Sequence, residues 1–248
     1  MISVSLPHRA LKAVAAAVAL AFATPGIAGP PYLTDDPIPT ELGHLEIYGF
    51  AAGEGFGPAL NMDVGTDLNY GAVKDVQLTA TLPLSFARDE AGWRSGTGDV
   101  ELGVKYRVVH DKRSGVSVAV FPRVILPTLS LAADGKTRIL LPVWIGKDFA
   151  GGTSLFGGGG YLINPGPGNR NVWQAAVALT HDLGKDVSIG AEVTQEGPDA
   201  IGGTPQTRAG AGAIVHLAGP ASLLVSCGPT WADHHTGYHF YGALGLNF

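Results

Sequence analysis

Residues 60–70, LNMDVGTDLNY, alternate in character. Leu60, Met62, Val64, Leu68 and Tyr70 are interleaved with Asn61, Asp63, Gly65, Asp67 and Asn69. Successive side chains of a strand point to opposite faces, so the segment predicts a strand with one apolar and one polar face. A helix would carry the acids into its apolar side. The same period recurs in Val76, Leu78, Leu82, Leu84 and Phe86, and in Val100, Leu102, Val104, Tyr106 and Val108. Val116, Val118, Val120, Val124 and Leu126 repeat it, as do Val187, Ile189, Ala191 and Val193. Along the chain it predicts twelve strands, at 43–52, 59–70, 75–87, 98–109, 115–126, 138–148, 153–163, 172–181, 186–195, 207–217, 220–229 and 237–248.

Twelve is even, as single-chain bacterial outer-membrane barrels require. The connections after strands two, four, six, eight and ten are brief: GAVKD, HDKRSG, DFAGG, DLGKD and AGP. The others, GEGFG, RDEAGWRSGT, PTLSLAADGKTR, NPGPGNRN, EGPDAIGGTPQT and TWADHHT, are generally longer. Short periplasmic turns alternating with longer outer loops are the outer-membrane pattern. The expected fold is all-β: an antiparallel up-and-down transmembrane β-barrel with both termini in the periplasm. Pro83, Pro122 and Pro142 fall inside strands, where a missing N–H removes a ladder bond, and predict bulges or interruptions.

The first residues predict export. Arg9 and Lys12 precede an eleven-residue apolar stretch, Ala13 to Ala23, followed by small residues at Gly26 and Ala28. This predicts a secretory signal peptide with cleavage after Ala28, a cut after Ala23 being the rival site. Eleven apolar residues are too few to cross a hydrocarbon core, which takes about 20. The expected organisation is 1–28 signal peptide, 29–42 periplasmic lead-in and 43–248 barrel. Cleavage removes Arg9 and Lys12 and no acid, leaving 14 bases against 21 acids. That balance gives no basic footprint for nucleic acid.

Charge then separates a membrane barrel from a soluble sandwich. Only 15% of residues are charged. Once the apolar residues define the outward face, Glu46, Asp63, Asp67, Asp99, Glu101, Lys105, Arg107, Arg123, Glu192 and Arg208 all fall on the opposite parity. An outward Lys or Arg near the bilayer midplane costs about 2–4 kcal/mol, so a lipid-facing surface excludes them. These ten are expected to line the lumen, and six acids against four bases predict a weak cation preference. Leu140, Trp144 and Leu162 also point inward and would fill part of it.

Tyr70, Tyr106 and Phe248 are placed for one interfacial aromatic girdle, and Phe86, Tyr161, Trp173 and Tyr238 for the other. The last segment, GYHFYGALGLNF, has Tyr238, Phe240, Leu244, Leu246 and Phe248 at every apolar position. Tyr238, Phe240, Leu246 and Phe248 are expected to be the signal that barrel-assembly machinery reads.

GPPYLTDDPIPTELGHLEIYGF (29–50), TGDVELGVKYRV (97–108), FPRVILPT (121–128), LPVWIGKDF (141–149) and GGGGYLINPGPGNRN (157–171) together resemble one family. It is the group of porin-like outer-membrane β-barrels assigned as transporters to the MetA pathway of phenol degradation. The resemblance covers nearly all of residues 29–248 and implies an outer-membrane barrel of Gram-negative type. The loop at 127–137 departs from the family in lacking a PTG start.

Other clusters have plainer explanations. Asp233, His234, His235 and His239 have metal-ligand chemistry but lie in or beside an outer loop, so no metal is expected. Gly157 to Gly160 are not followed by the Lys-Ser/Thr of a phosphate loop; they are expected to relieve crowding or allow curvature. Asp35 and Asp36 precede the first strand in an extended lead-in, with a plug the other reading. Cys227 falls on the lipid face as a small apolar residue. His181 and His216, with Ser188 or Ser222, supply nucleophile and base types without a recognised spacing, so no enzyme is expected. The expected function is a channel or transporter for small solutes, aromatic or hydrophobic compounds among them. Its expected partners are outer-membrane lipid, the assembly machinery and an unidentified solute, without a cofactor. The alternatives are a non-conducting structural or adhesive barrel and an outer-membrane lipid hydrolase.

Overall fold

The computed structural model describes residues 31–128 and 135–248; the expected signal peptide lies outside them. Fourteen strand segments form one antiparallel sheet. They are β1 (Leu45–Phe56), β2 (Ala59–Val73), β3 (Val76–Asp89), β4 (Gly92–Thr97), β5 (Val100–Asp111), β6 (Val116–Val120) and β7 (Arg123–Leu126). Then follow β8 (Arg138–Phe149), β9 (Thr153–Ile163), β10 (Val172–Asp182), β11 (Val187–Glu196), β12 (Gln206–His216), β13 (Ala221–Ala232) and β14 (His235–Asn247). The sheet closes because β1 pairs with β14 from Glu46↔Asn247 to Gly55↔Tyr238.

Two pairs of segments are single staves, which makes the barrel twelve-stranded. β6 and β7 are separated by Phe121 and Pro122. Pairings on either side, Val120↔Val143 and Arg123↔Leu140, keep one register. Pro122 and Pro142 meet in this gap, and the ladder continues through Phe121 N–H to the Pro142 carbonyl at 3.1 Å. β4 and β5 both pair with β3, but Leu84↔Thr97 and Thr81↔Glu101 set three steps against four. The extra residue is a bulge at Gly98–Asp99, opposite Pro83. Gly98 is suited to it, because a Cβ there would come within 2.6 Å of the Pro83 ring.

Three connections expected as longer loops are two-residue turns instead. They span 57–58, 90–91 and 233–234. Ladder pairing runs right up to each, through Phe56↔Ala59, Asp89↔Gly92 and Ala232↔His235. Asp233 and His234 both have positive φ, 47° and 62°, as a type I′ hairpin turn requires. The alternation of short and longer connections is therefore broken at three of its six longer places.

The outer surface is an apolar band. Leu82, Leu84, Val143, Ile145, Leu179, Val193, Leu223 and Leu244 are all exposed on it, and Cys227 joins them. At about 3.4 Å per residue and a tilt near 40°, a twelve-residue stave covers roughly 30 Å, enough for a bilayer's hydrocarbon. Inside, Tyr48, Leu224 and Ala243 form a small buried cluster with Phe50, Ile214 and Tyr241 against it. Trp144 and Leu140 are buried on the facing part of the wall. Gly158 gives Trp144 its room, since a Cβ there would sit 2.9 Å from the indole and 2.0 Å from the Val143 carbonyl.

Candidate functional site: a lumen divided by the N-terminal segment

The lead-in before β1 does not extend away from the barrel. Leu42 bridges Gly71 at the end that carries the termini, and residues 41 to 31 then cross the lumen. Thr40 donates from its backbone N–H and its hydroxyl to Gln77 Oε1, at 2.8 and 3.1 Å. Asp35 meets Lys105 Nζ at 2.8 Å and Arg123 Nη2 at 3.3 Å on one wall. Asp36 lies 3.9 Å from the same Lys105. On the opposite wall, Glu192 accepts from Leu33 N–H at 3.0 Å and from Thr34 N–H and Oγ1–H at 2.9 and 2.7 Å. Ser226 Oγ donates to the Pro31 carbonyl, and Tyr32 Oη to the Gly212 carbonyl at 3.2 Å.

The physical reason for this path is paired burial. Lys105 is 2% exposed and Glu192 3% exposed, and a buried charge persists only when its partners satisfy it. The lead-in supplies those partners, two aspartates for the lysine and three donors for the glutamate. The wall is cut to receive it. A Cβ at Gly71 would come 1.9 Å from the Glu41 carbonyl, one at Gly146 2.9 Å from Pro37, and one at Gly190 2.5 Å from Tyr32 Oη. Burial, and then the nearby Glu192 carboxylate, push the Tyr32 phenol up to about 12. It therefore stays a neutral donor at any physiological pH.

Two spaces flank the crossing segment. The larger, about 730 Å³, is lined by β1–β3, β5 and β7, with Tyr241 of β14 and Leu33 and Asp35 of the segment. The smaller, about 160 Å³, lies against β8–β11 on the other side of Pro37 and Ile38. A drug-sized ligand fits the first.

Asp63, Asp67, Asp99, Glu101, Lys105 and Arg123 line the larger space. Asp99 pairs with Arg138 at 2.6 Å and Glu101 with Arg123 at 3.1 Å. Glu46 is buried, taking the Tyr48 hydroxyl at 3.0 Å. Arg107 sits at the terminal end, held by Asp75 of the β2–β3 turn at 2.5 Å. Arg208 lies near the loop end between Glu54 and Glu196, at 2.7 and 2.9 Å. Lys105, Arg123 and Glu101 join through Asp35 into a central cross-brace with Glu192 opposite, whereas Arg107 sits in a rim pair with Asp75 and Arg208 in a loop-end cluster. Glu54, Gln77, Phe121 and Arg138 belong to the same walls. Position 54 falls beyond the expected end of the first strand, although extending the parity of Glu46 to it identifies Glu54 as inward, and Arg138 opens the strand expected at 138–148.

The outer-loop histidine cluster is split by the hairpin. His234 and His235 are exposed at the turn, whereas His239 is buried inside beside Thr230. Among the described residues, no three His, Cys, Asp or Glu side chains are placed to hold a metal. His216 Nδ1 lies 3.1 Å from Ser222 Oγ. Ser222 is only 2% exposed, so a substrate carbonyl has no path to it. His181 instead meets Thr153 Oγ1 at 2.8 Å, and Ser188 donates to Asp182.

No family model matches the sequence, and no curated protein does. Solved structures do resemble it. An outer membrane channel from Pseudomonas putida F1 has a TM-score of 0.66 at 11% identity, over 86% of this chain and 98% of that one. The NanC porin gives 0.56 at 11%, over 80% and 98%. The translocator domain of the autotransporter NalP from Neisseria meningitidis gives 0.55 at 16%, over 97% and 94%. At these identities the likeness is one of fold, and the fold is the outer-membrane type of β-barrel.

Proposed function

We propose that the chain lies in an outer membrane as a barrel that passes small solutes, with residues 31–41 closing its lumen at rest. The observation that carries this reading is a 730 Å³ cavity, inside a closed barrel with an apolar exterior, bounded by a strip of the chain itself. A band of exposed leucine, valine and isoleucine around the whole barrel needs lipid rather than water as its neighbour. Tyr238, Phe240, Leu246 and Phe248 alternate along the outer face of the closing strand, which suits recognition by assembly machinery. Resemblance in fold to a channel and a porin supports passage of solutes. Buried Ser222, without a carboxylate bonded to its histidine among the described residues, favours passage over hydrolysis.

The cavity wall suits aromatic or hydrophobic solutes, because Tyr48, Phe50, Phe121 and Tyr241 contribute rings to it. Liposome swelling tests the reading. Vesicles carrying the refolded protein should swell in small neutral aromatic solutes faster than protein-free vesicles. Equal rates, with protein shown to be inserted by a heat-modifiable gel band, would refute it.

A further inference from the structure

The two sides of the larger cavity differ in how their charges are satisfied. Six acids line it, Asp35, Glu54, Asp63, Asp67, Asp99 and Glu101. Four are matched by cations: Asp35 by Lys105, Asp99 by Arg138, Glu101 by Arg123 and Glu54 by Arg208. Among the described residues, Asp63 and Asp67 form no ion pair. Asp63 accepts from Ser85 Oγ at 2.5 Å, and Asp67 from Thr81 Oγ1 and Asn69 Nδ2 at 2.8 and 3.0 Å. These neutral donors orient the carboxylates; Asp63 has no cation at ion-pair distance, and Asp67 interacts with Arg123 only from beyond that distance. Every cation lining the cavity is already paired with another acid, so carboxylates outnumber cations around the space.

An aromatic surface stands between those two charges. Phe50 on β1 is paired with Gly65 on β2, and the same-face neighbours of Gly65 are Asp63 and Asp67. Phe50 itself lines the cavity. Each carboxylate lies about 7 Å along the strand from that position, the spacing of same-face residues. Tyr241 stacks on Phe50, with centroids 6.4 Å apart and planes 9° from parallel. An apolar platform between two carboxylates that lack a paired cation is complementary to a flat apolar body with a cationic group on a short spacer.

We propose that this cavity selects organic cations with an aromatic body, aryl-alkyl ammonium ions. The ring lies against Phe50 and Tyr241, and the ammonium is met by Asp63 or Asp67. The inference rests on the solute-passage reading for its physiological meaning, but binding can be measured without passage. Calorimetric titration of the full-length, detergent-solubilised barrel with phenethylammonium, phenylacetate and ethylammonium provides the test. Phenethylammonium should bind at least about tenfold more tightly than either, and Asp63→Asn with Asp67→Asn should remove about tenfold or more of that affinity. Asparagine can still accept from Ser85 and Thr81, so the wall should persist, as a heat-modifiable gel band checks. Phe50→Leu supplies an independent variant, which should weaken phenethylammonium and leave ethylammonium unchanged. Equal affinity for the cation and the anion, or affinity unmoved by both sets of changes, would overturn the proposal. Selective binding without any liposome swelling would instead sustain the site and defeat the channel.

Discussion

Glu192 is the contact on which the closing segment depends most, and Glu192→Gln perturbs it with little change of shape. The carboxylate accepts three hydrogen bonds from Leu33 and Thr34, at 2.7–3.0 Å. A bond to a charged acceptor contributes roughly 1.5–3 kcal/mol. Glutamine keeps one carbonyl oxygen and turns an N–H₂ donor toward groups that are themselves donors. One or two of the three bonds are lost, and the remainder loses its charge assistance. The segment should therefore be weakened by about 2–4 kcal/mol, a shift of about 30- to 900-fold in its released population. Pro39 is buried and makes no side-chain hydrogen bond, so Pro39→Cys, in a Cys227→Ser background, reports release by its rate of maleimide labelling. When closing is faster than labelling, that rate follows the released fraction. Glu192→Gln should accelerate it by at least about tenfold. A rate within twofold of the parent, in a barrel that stays folded, would refute the view that Glu192 latches the segment.

Three further outcomes follow from the same contacts. Lys105→Met removes the ammonium facing Asp35 and Asp36 while Arg123 stays 3.3 Å from Asp35, and loss of one partner of a buried pair costs roughly 3–5 kcal/mol. The same labelling should rise sharply, and adding Asp35→Asn should recover much of it, a coupling above about 1 kcal/mol in a double-mutant cycle. Trp144→Ala empties a buried indole site and should lower the unfolding free energy by about 3–5 kcal/mol, read by urea titration in lipid. Val143→Arg places a cation on the outer band beside the inward Trp144; it should cost about 2–4 kcal/mol in the same titration, whereas Val143→Leu should be near neutral.

The strand pattern was legible because a membrane barrel imposes the most repetitive pattern a sequence can carry. Asp63 and Asp67 alternate with apolar neighbours since one face meets lipid and the other does not, and a residue's own strand decides its side. The path of residues 31–41 has no such local signature. Its partners are set by distant contacts, Asp35 with Lys105 across 70 positions and Leu33 with Glu192 across 159, and a prolyl segment reads the same whether it enters a lumen or leaves it. Turn lengths were misjudged for a related reason. RDEAGWRSGT is polar and glycine-containing like a loop, yet Arg88↔Trp93 and Ala87↔Arg94 continue the ladder beyond the membrane band, where polarity no longer distinguishes strand from loop. Pro83 and Pro122 did mark real irregularities, the bulge at Gly98–Asp99 and the gap between β6 and β7.

Single-channel conductance of the refolded barrel, with and without residues 31–41, tests the central claim most directly. Removing the segment joins the 730 and 160 Å³ spaces into one passage between the ends of the barrel. The intact chain should show small, infrequent openings, and after deletion the conductance should be several-fold larger and mostly open. Identical conductance in the two proteins, or none from a correctly folded deletion, would contradict that claim.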